Sequence, residues 1–463
     1  MTGHINTTMP DITGLTADSR TVRPGFLFAA LPGGNQDGRA FIAEAVAKGA
    51  VAILAPTGTV WPDTVPQRYL LTASDVRAKL AEMAVAFYGP LPARLIAVTG
   101  TNGKTSCVDF IRQILQLAGR KAASIGTLGV VAPGQAPTGS LTTPDPVSLA
   151  QELASLANAG IQDVAMEASS HGLDQRRLDG VRFSAAGFTN LTRDHLDYHG
   201  SMQAYGAAKL RLFSALLRPG AAIRVMADLD AEILAQLRAI AATQHYDFEL
   251  VQIEQVIPRP DGQILKIGGR DVALNLPGRF QADNAALAAS LAEASGIASA
   301  EIFLPRLQGV RGRLERALIL PNKAVAYVDY AHTPDAITRV LAALRPHTEG
   351  RLHIVFGAGG DRDAGKRPLM GAAARQGADV VVVTDDNPRG EDPALIRRAI
   401  LASCPDAIEI GDRRAAIEAA LDGLAPGDVL VVAGKGHEQG QIVQGEVIPF
   451  DDVSVLRELG GMA

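Results

Sequence analysis

From residue 309 onward the chain alternates short apolar runs with helical patterns. The runs are AVAYVDYAH (324–332), RLHIVFGAGG (351–360), ADVVVVTDDNP (378–388) and DVLVVAGKGHE (428–438). Patterns such as DPALIRRAILA (392–402) and DRRAAIEAALDGL (412–424) separate them. Continuous apolar runs mark strands buried on both faces, and their alternation with helices predicts a parallel sheet with helices on either side. Each run ends in polar residues. Such sheets bind ligands beyond the carboxyl ends of their strands, so chemistry is expected at those polar tails.

Two further blocks precede this one. In the first, GFLFAAL (25–31) and AVAILAP (50–56) read as buried strands, with a helix over 40–48. It closes at YGPLP (88–92), a Gly/Pro break suited to a linker. The second opens with the strand pattern RLIAVTG (94–100), a polar GTNG loop, and KTSCVDFIRQILQLAG. There Val108, Ile111, Leu115 and Ala118 share a helical face, with Gly119 at the expected stop. At ~150 residues per domain, 463 residues suggest about three domains. The expected boundaries are 1–91, 92–308 and 309–463. The fold class is α/β: an N-terminal α/β domain, a central phosphate-loop domain with a mainly parallel sheet, and a C-terminal Rossmann-like domain.

Composition excludes several functions. A hydrophobic share of 47% argues against a disordered chain, and a net charge of −5 gives no basic footprint for nucleic acid. The longest uncharged stretch, 122–144, is broken by Gly, Pro and Thr, so no membrane span is expected. The start lacks a basic and apolar leader, and two cysteines, Cys107 and Cys404, fit a reducing compartment. A cytoplasmic location is expected.

VTGTNGKTS (98–106) carries the strongest local chemistry. A loop between strand and helix turns N–H groups toward one point, where the helix dipole adds positive charge. Lys104 can reach terminal phosphates, and the Thr105 hydroxyl can meet Mg²⁺. The strict phosphate-loop pattern has Gly where Val98 stands, so this loop is a variant. Downstream, Glu167 falls at the end of an apolar run, where a carboxylate can ligate Mg²⁺. FTNLTRDHLDYHG (188–200) supplies Asn190, Asp194, His195, Asp197 and His199. A zinc site at His195 and His199 is rejected: Leu196 stands where the usual motif has Glu, and no cysteine clusters nearby. Taken alone, His195 reads as a hydrogen-bonded core residue, and Lys209 in YGAAKLRLF (205–213) as a surface lysine.

TGTNGKT resembles the ATP-binding loop of the Mur ligase family, and is similar to that of the related folylpolyglutamate synthases. SSHGLDQRR and TNLTRDHLDYHG look like the matching Mur ligase segments. The resemblance implies ATP-driven amide formation through an acyl phosphate. By it, Gly100, Thr101, Asn102, Gly103, Lys104, Thr105 and Ser106 bind ATP. Thr105, Glu167 and His195 hold Mg²⁺ together with Lys209 as a carbamate, and Lys104, Glu167, His195 and Lys209 carry catalysis. Thr142, Thr143, Ser169, Gln175 and Arg177 contact the acceptor. In LPGRFQADNAALAAS (276–290), Asn284 implies an adenine contact, a role compatible with capping the following helix. GVRGRLER (309–316) keeps Arg313 for the nucleotide but has Arg311 where the family has Pro. Asp329, His332 and Pro334 match a stretch near the nucleotide. Since these residues fall in the third block, the domains are expected to close on ATP. Ser19 and Gly34, Asn35 and Gln36 resemble the uridine-nucleotide segments, with a plain turn reading nearly as good.

The third block's tails concentrate Arg362, Lys366, Arg367 and Arg389 among Asp363, Asp385 and Asp386, a mixture suited to a zwitterion. The run Asp386, Asn387, Pro388, Arg389 resembles the signature of family members that add meso-diaminopimelate; members that add L-lysine differ there. Arg389 can hold the extra distal carboxylate bidentately. Arg362, Asn387, Gly434 and Glu438 complete that site by the same resemblance. The implied reaction joins meso-diaminopimelate to UDP-N-acetylmuramoyl-L-alanyl-D-glutamate with ATP and Mg²⁺, by a chain expected to act as a monomer. The competing readings are a folylpolyglutamate synthase, a ligase for another amine, and a regulatory nucleotide hydrolase.

Overall fold

The computed structural model describes residues 9–33, 37–134, 141–259 and 261–461. They form two compact units, residues 1–251 with 290–298 and residues 252–289 with 299–463.

The first unit holds two sheets. Gly14–Thr16, Phe26–Ala29, Ala52–Pro56 and Tyr69–Ala73 pair in chain order, all parallel. The expected helix over 40–48 is shorter: a 3₁₀ turn, Gly38–Phe41, leads into Ile42–Ala47. The Asp37 side chain caps that turn, accepting from the Arg39 N–H, and so draws the irregular start forward.

The larger sheet runs Asp247–Val251, Leu217–Met226, Phe183–Phe188, Arg94–Thr99, Asp163–Glu167, Ala122–Gly126, Gly129–Val131. Every pairing but the last is parallel. Arg94–Thr99 sits between Asp163–Glu167 and Phe183–Phe188, with Val98 opposite Glu167 and Thr99 opposite Phe188. Three strands therefore deliver their carboxyl ends to one place. The helix Lys104–Leu117 starts there and buries Cys107, Phe110, Ile111, Ile114 and Leu115 against the sheet. Ala118 caps it, and Gly119 follows at φ +86°, a left-handed turn that ends the helix.

In the second unit the order is Glu315–Ile319, Val325–Asp329, Val429–Ala433, Leu352–Phe356, Val380–Val383, Ile408–Glu409. Only the first pairing is antiparallel. Alternate residues feed two separate cores. Tyr327, Ile354, Phe356, Val429 and Val431 pack with Ile337, Met370 and Ile396. Ala326, Val328, Val355, Leu430 and Val432 pack with Ile417, Val453 and Leu456. The period of two along a strand sends neighbours to opposite faces, so a run apolar throughout must be covered twice. The antiparallel sheet Gln255–Arg259, Gly262–Ile267, Arg270–Leu274 and the hairpin Gly440–Val443 with Glu446–Pro449 complete the unit.

Beneath the strand ends lies a fully buried ion pair. Arg413 Nε and Nη2 donate to the two Asp452 carboxylate oxygens at 2.8 and 2.7 Å, and Nη2 also donates to the Ala433 carbonyl at 3.0 Å. Neither side chain reaches solvent. Removing one partner strands the other charge in the core, which typically costs about 3–5 kcal/mol. Arg413→Met should lower the unfolding free energy by that amount in urea titration; a loss under about 1 kcal/mol would contradict this account.

Candidate active site

Two clusters gather at strand ends, one in each unit. In the first, Gly100 adopts φ +141°, and a Cβ there would fall 1.9 Å from Thr189 Oγ1, so only glycine fits. Residues 189–192 shape the loop. The Thr101 N–H donates to the Asn190 carbonyl at 2.8 Å, and the Asn102 N–H to Asn190 Oδ1 at 3.0 Å. Thr189 Oγ1 donates to the Asn102 carbonyl at 2.6 Å. Lys104 folds back, its Nζ donating to the carbonyls of Gly100 and Thr101 at 3.0 and 2.8 Å.

Glu167 ends its strand almost wholly buried, with Oε1 accepting from the Thr127 N–H at 2.8 Å. A Cβ on Gly126 would lie 2.2 Å from that oxygen, so the glycine makes room for the carboxylate. Burial pushes the Glu167 pKa up, while the Lys104 charge and the Thr127 N–H pull against it. Lys209 is not a surface lysine. It lies buried on the helix Met202–Ala215, its Nζ donating to the Gly100 carbonyl at 2.6 Å and standing 4.4 Å from the Tyr205 ring centre. Burial, reinforced by the Lys104 charge, pulls its pKa down to about 6.

His195 is not a core residue: its side chain is 47% exposed. It adopts φ +51° just before the short helix Leu196–His199, with its ring edge-on to His171 at 4.9 Å. No group of three or more His, Cys, Asp or Glu side chains among the described residues could hold a metal ion by itself.

The acceptor candidates on this side connect to one another. Thr143 Oγ1 donates to the Glu167 carbonyl at 2.9 Å and accepts from the Ser169 N–H at 3.0 Å. Arg177 donates to the Thr143 carbonyl at 2.7 Å and to Gln175 Oε1 at 2.8 Å. Thr142 and Thr127 share a hydroxyl contact at 3.2 Å. Ser19 is buried and donates to Glu44 Oε2 at 2.8 Å. Gly34, Asn35 and Gln36 lie outside the described residues.

The second cluster joins three strand ends of the other unit. Asn387 Nδ2 donates to Glu438 Oε2 at 2.9 Å. Gly434 adopts φ +116°, and a Cβ there would fall 2.5 Å from Asp386 Oδ2. Arg389 sits at φ +53°, held by its N–H donating to the Ile442 carbonyl at 2.9 Å and its carbonyl accepting from the Gln444 N–H at 2.7 Å. Its Nη1 donates to the Gly360 carbonyl at 2.8 Å. Lys366 Nζ donates to the His332 carbonyl at 3.0 Å, whereas Arg367 pairs with Glu391 and Asp385 with Arg397. Arg362 lies close enough to influence Tyr330 and Lys366.

In the same unit, Arg313 stands over the Tyr330 ring at 5.0 Å, and the Asp329 carboxylate accepts from the Leu314 and Ala331 N–H groups at 2.7 and 2.8 Å. His332 Nδ1 lies 2.8 Å from the Tyr330 carbonyl oxygen. Pro334 opens the helix Pro334–Leu344. Asn284 does not cap a helix: it lies buried in the interior of Arg279–Ala294, which begins five residues earlier than the Ala-rich pattern suggests. Reading the sequence missed Tyr330, Gly126, Thr127 and Lys435. Gly126 and Thr127 end an apolar run, the same signal that singled out the third block.

Comparisons with known proteins agree along the whole chain. The family model described as Mur ligase family, catalytic domain, matches residues 11–88. The Mur ligase middle domain matches 98–292, and the Mur ligase glutamate ligase domain matches 312–436. A UDP-N-acetylmuramoyl-L-alanyl-D-glutamate–2,6-diaminopimelate ligase of Caulobacter vibrioides is 54% identical, over 98% of this chain and 97% of that protein. One from Rhizobium meliloti is 50% identical, over 98% and 95%. A solved structure of a ligase with that name is 34% identical with a TM-score of 0.74, covering 97% of this chain and 95% of that one. A Mycobacterium tuberculosis folylpolyglutamate synthase complexed with ADP shares the fold at 21% identity, with a TM-score of 0.60 over 78% and 92%.

Proposed function

The chain belongs to the Mur ligase family, and from that premise we propose that it joins meso-diaminopimelate to the D-glutamate γ-carboxylate of UDP-N-acetylmuramoyl-L-alanyl-D-glutamate, using ATP, in peptidoglycan precursor synthesis. The observation that carries the choice of amine is that the strand ends bearing Asp386, Asn387, Arg389, Gly434 and Glu438 are tied together, with Asn387 bonded to Glu438, Gly434 packed on Asp386 and the half-buried Arg389 anchored on Gly360. An ammonium and two carboxylates are what those groups can recognise.

In the proposed reaction an oxygen of the γ-carboxylate attacks the γ-phosphorus of ATP, and the bond to ADP breaks. The amine nitrogen of diaminopimelate then attacks the acyl carbon; the tetrahedral adduct loses its proton and expels phosphate. The loop over 100–106 receives the nucleotide phosphates. Lys104, whose Nζ donates to the loop carbonyls of Gly100 and Thr101, would meet the phosphate oxygens with its ammonium. Thr143, Ser169, Gln175 and Arg177 hold the acceptor, and Ser19 with the 34–36 segment holds its uridine end. Asn284, Arg313, Asp329 and His332 would serve the nucleotide.

The residues suit Mg²⁺. Glu167 is a buried carboxyl group at a strand end, with Gly126 leaving room beside its Oε1, and Mg²⁺ habitually takes one or two carboxylates plus phosphates rather than an all-protein cage. Thr105, Glu167, His195 and carbamylated Lys209 would hold it. Bound there, it would neutralise the phosphates' charge. We assign 1–91 to the uridine end, 92–308 to ATP and 309–463 to the amino acid, and place the reaction in the cytoplasm. No helix among the described residues is long and apolar enough to cross a membrane.

Phosphate release with the UDP-muramoyl dipeptide and a panel of amino acids tests this reading. Release should require both the dipeptide and the amine, and should be fastest with meso-diaminopimelate. Equal release without any amine, or turnover of folates in place of the dipeptide, would overturn it.

A further inference from the structure

Lys435 has no part in the reaction above, yet it is among the largest fully buried side chains. Its Nζ donates to Asn387 Oδ1 at 2.9 Å and to the Gly440 carbonyl at 2.7 Å, and stands 3.7 Å from Glu438. The Ile442 N–H donates to the same Asn387 oxygen at 2.9 Å. An amide side chain has one accepting end and one donating end. Two donors converging on Oδ1 fix its orientation, which leaves Nδ2 to meet Glu438. Through Gly440, Lys435 also ties the strand Gly440–Val443 to the turn that carries Asn387 and Arg389. That turn and strand exchange backbone hydrogen bonds at Arg389.

We infer that Lys435 is a positioning residue for the amino-acid substrate: by binding the Asn387 amide oxygen and the Gly440 carbonyl at one point, it orients Asn387, Glu438 and Arg389 for diaminopimelate without touching it. The inference rests on the assignment of diaminopimelate to this cluster. Burying an ammonium is costly, and here the cost is offset by two neutral acceptors at hydrogen-bond distance and by the Glu438 carboxylate at 3.7 Å. The groups it holds, Asn387 and Glu438, are those assigned above to the substrate.

Steady-state kinetics of Lys435→Met, Asn387→Ala and the double variant test the inference, with KM measured for all three substrates. Lys435→Met should raise KM for diaminopimelate at least tenfold, leaving kcat within threefold and the other two KM values within twofold. Because Lys435 acts through Asn387, the double variant should be within threefold of Asn387→Ala alone. An unchanged KM for diaminopimelate, a common rise in all three KM values, or effects that multiply in the double variant would overturn the inference. If the methionine variant does not fold, Lys435→Gln, whose amide nitrogen keeps two N–H donors, should give a smaller rise in the same KM. Failure of both to fold would make Lys435 structural and overturn the inference. A wild type unable to use diaminopimelate overturns the functional assignment itself. A wild type that uses it, beside a Lys435→Met variant with the same KM, overturns only the role of Lys435.

Discussion

Lys209→Ala should lower kcat by about 10²–10³, the usual effect of deleting one preorganised electrostatic group at a reacting centre. The Lys209 amine is buried beside the phosphate loop, 2.6 Å from the Gly100 carbonyl, and shares its surroundings with Lys104. Two ammonium groups there would oppose a divalent cation. With its pKa pulled down to about 6, the amine is mostly neutral at pH 7. A neutral amine adds to CO₂, forming a C–N bond and releasing a proton, to leave a carbamate. The product brings two oxygen ligands suited to a hard cation, and keeps an N–H to donate to Gly100. Above about pH 6 the neutral amine predominates and the carbamate forms; below it the ammonium predominates and the carbamate is lost. Labelled bicarbonate should therefore enter the wild type at pH 7.5, enter less at pH 5.5, and not enter the alanine variant at this position. A Lys209→Ala enzyme with full kcat would refute the role.

Much of this arrangement is legible in the sequence, for reasons that differ from place to place. The third block was readable because strands buried on both faces have no polar alternation, and the structure shows the two cores that such runs demand. Glu167 was readable because a polar residue closing an apolar run lands at a strand's carboxyl end. The burial of Lys209 was not. YGAAKLRLF offers apolar residues on more than one face, so only the fold decides that its lysine points toward Gly100 rather than solvent. Lys435 escaped for a related reason. Its burial depends on the Asn387 amide and the Gly440 carbonyl, which no local pattern brings to it. The Ala-rich pattern after Asn284 allows it a capping role at a helix start. The helix in fact begins at Arg279, with Gln281 reaching the Arg313 carbonyl at 3.2 Å, a contact that no local pattern encodes.

Arg389→Ala should collapse the preference for diaminopimelate over lysine. A site built around a substrate's polar group rejects the analogue lacking it by about 10⁴–10⁵, because the site's own group is then left unpaired. Arg389 is held in place by its surroundings. Its backbone is left-handed, at φ +53°, a conformation uncommon for a long side chain and held by hydrogen bonds to the neighbouring hairpin on both sides. One donor of the guanidinium is fixed on the Gly360 carbonyl, and Gly359 leaves room for it: a Cβ there would lie 2.7 Å from Nη1. The head is thus anchored at one point, while its other donors remain for a carboxylate. Lysine would leave those donors without a partner; diaminopimelate supplies one. Removing the guanidinium takes away both the reward and the penalty. The ratio of kcat/KM values for the two amines should then fall to within about tenfold of unity, chiefly through a lower value for diaminopimelate. Replacement by lysine should not restore it, since a point charge lacks the planar fork that matches a carboxylate. Comparable kcat/KM values for both amines in the wild type would refute the preference itself, and an undiminished preference in Arg389→Ala would remove Arg389 from this role.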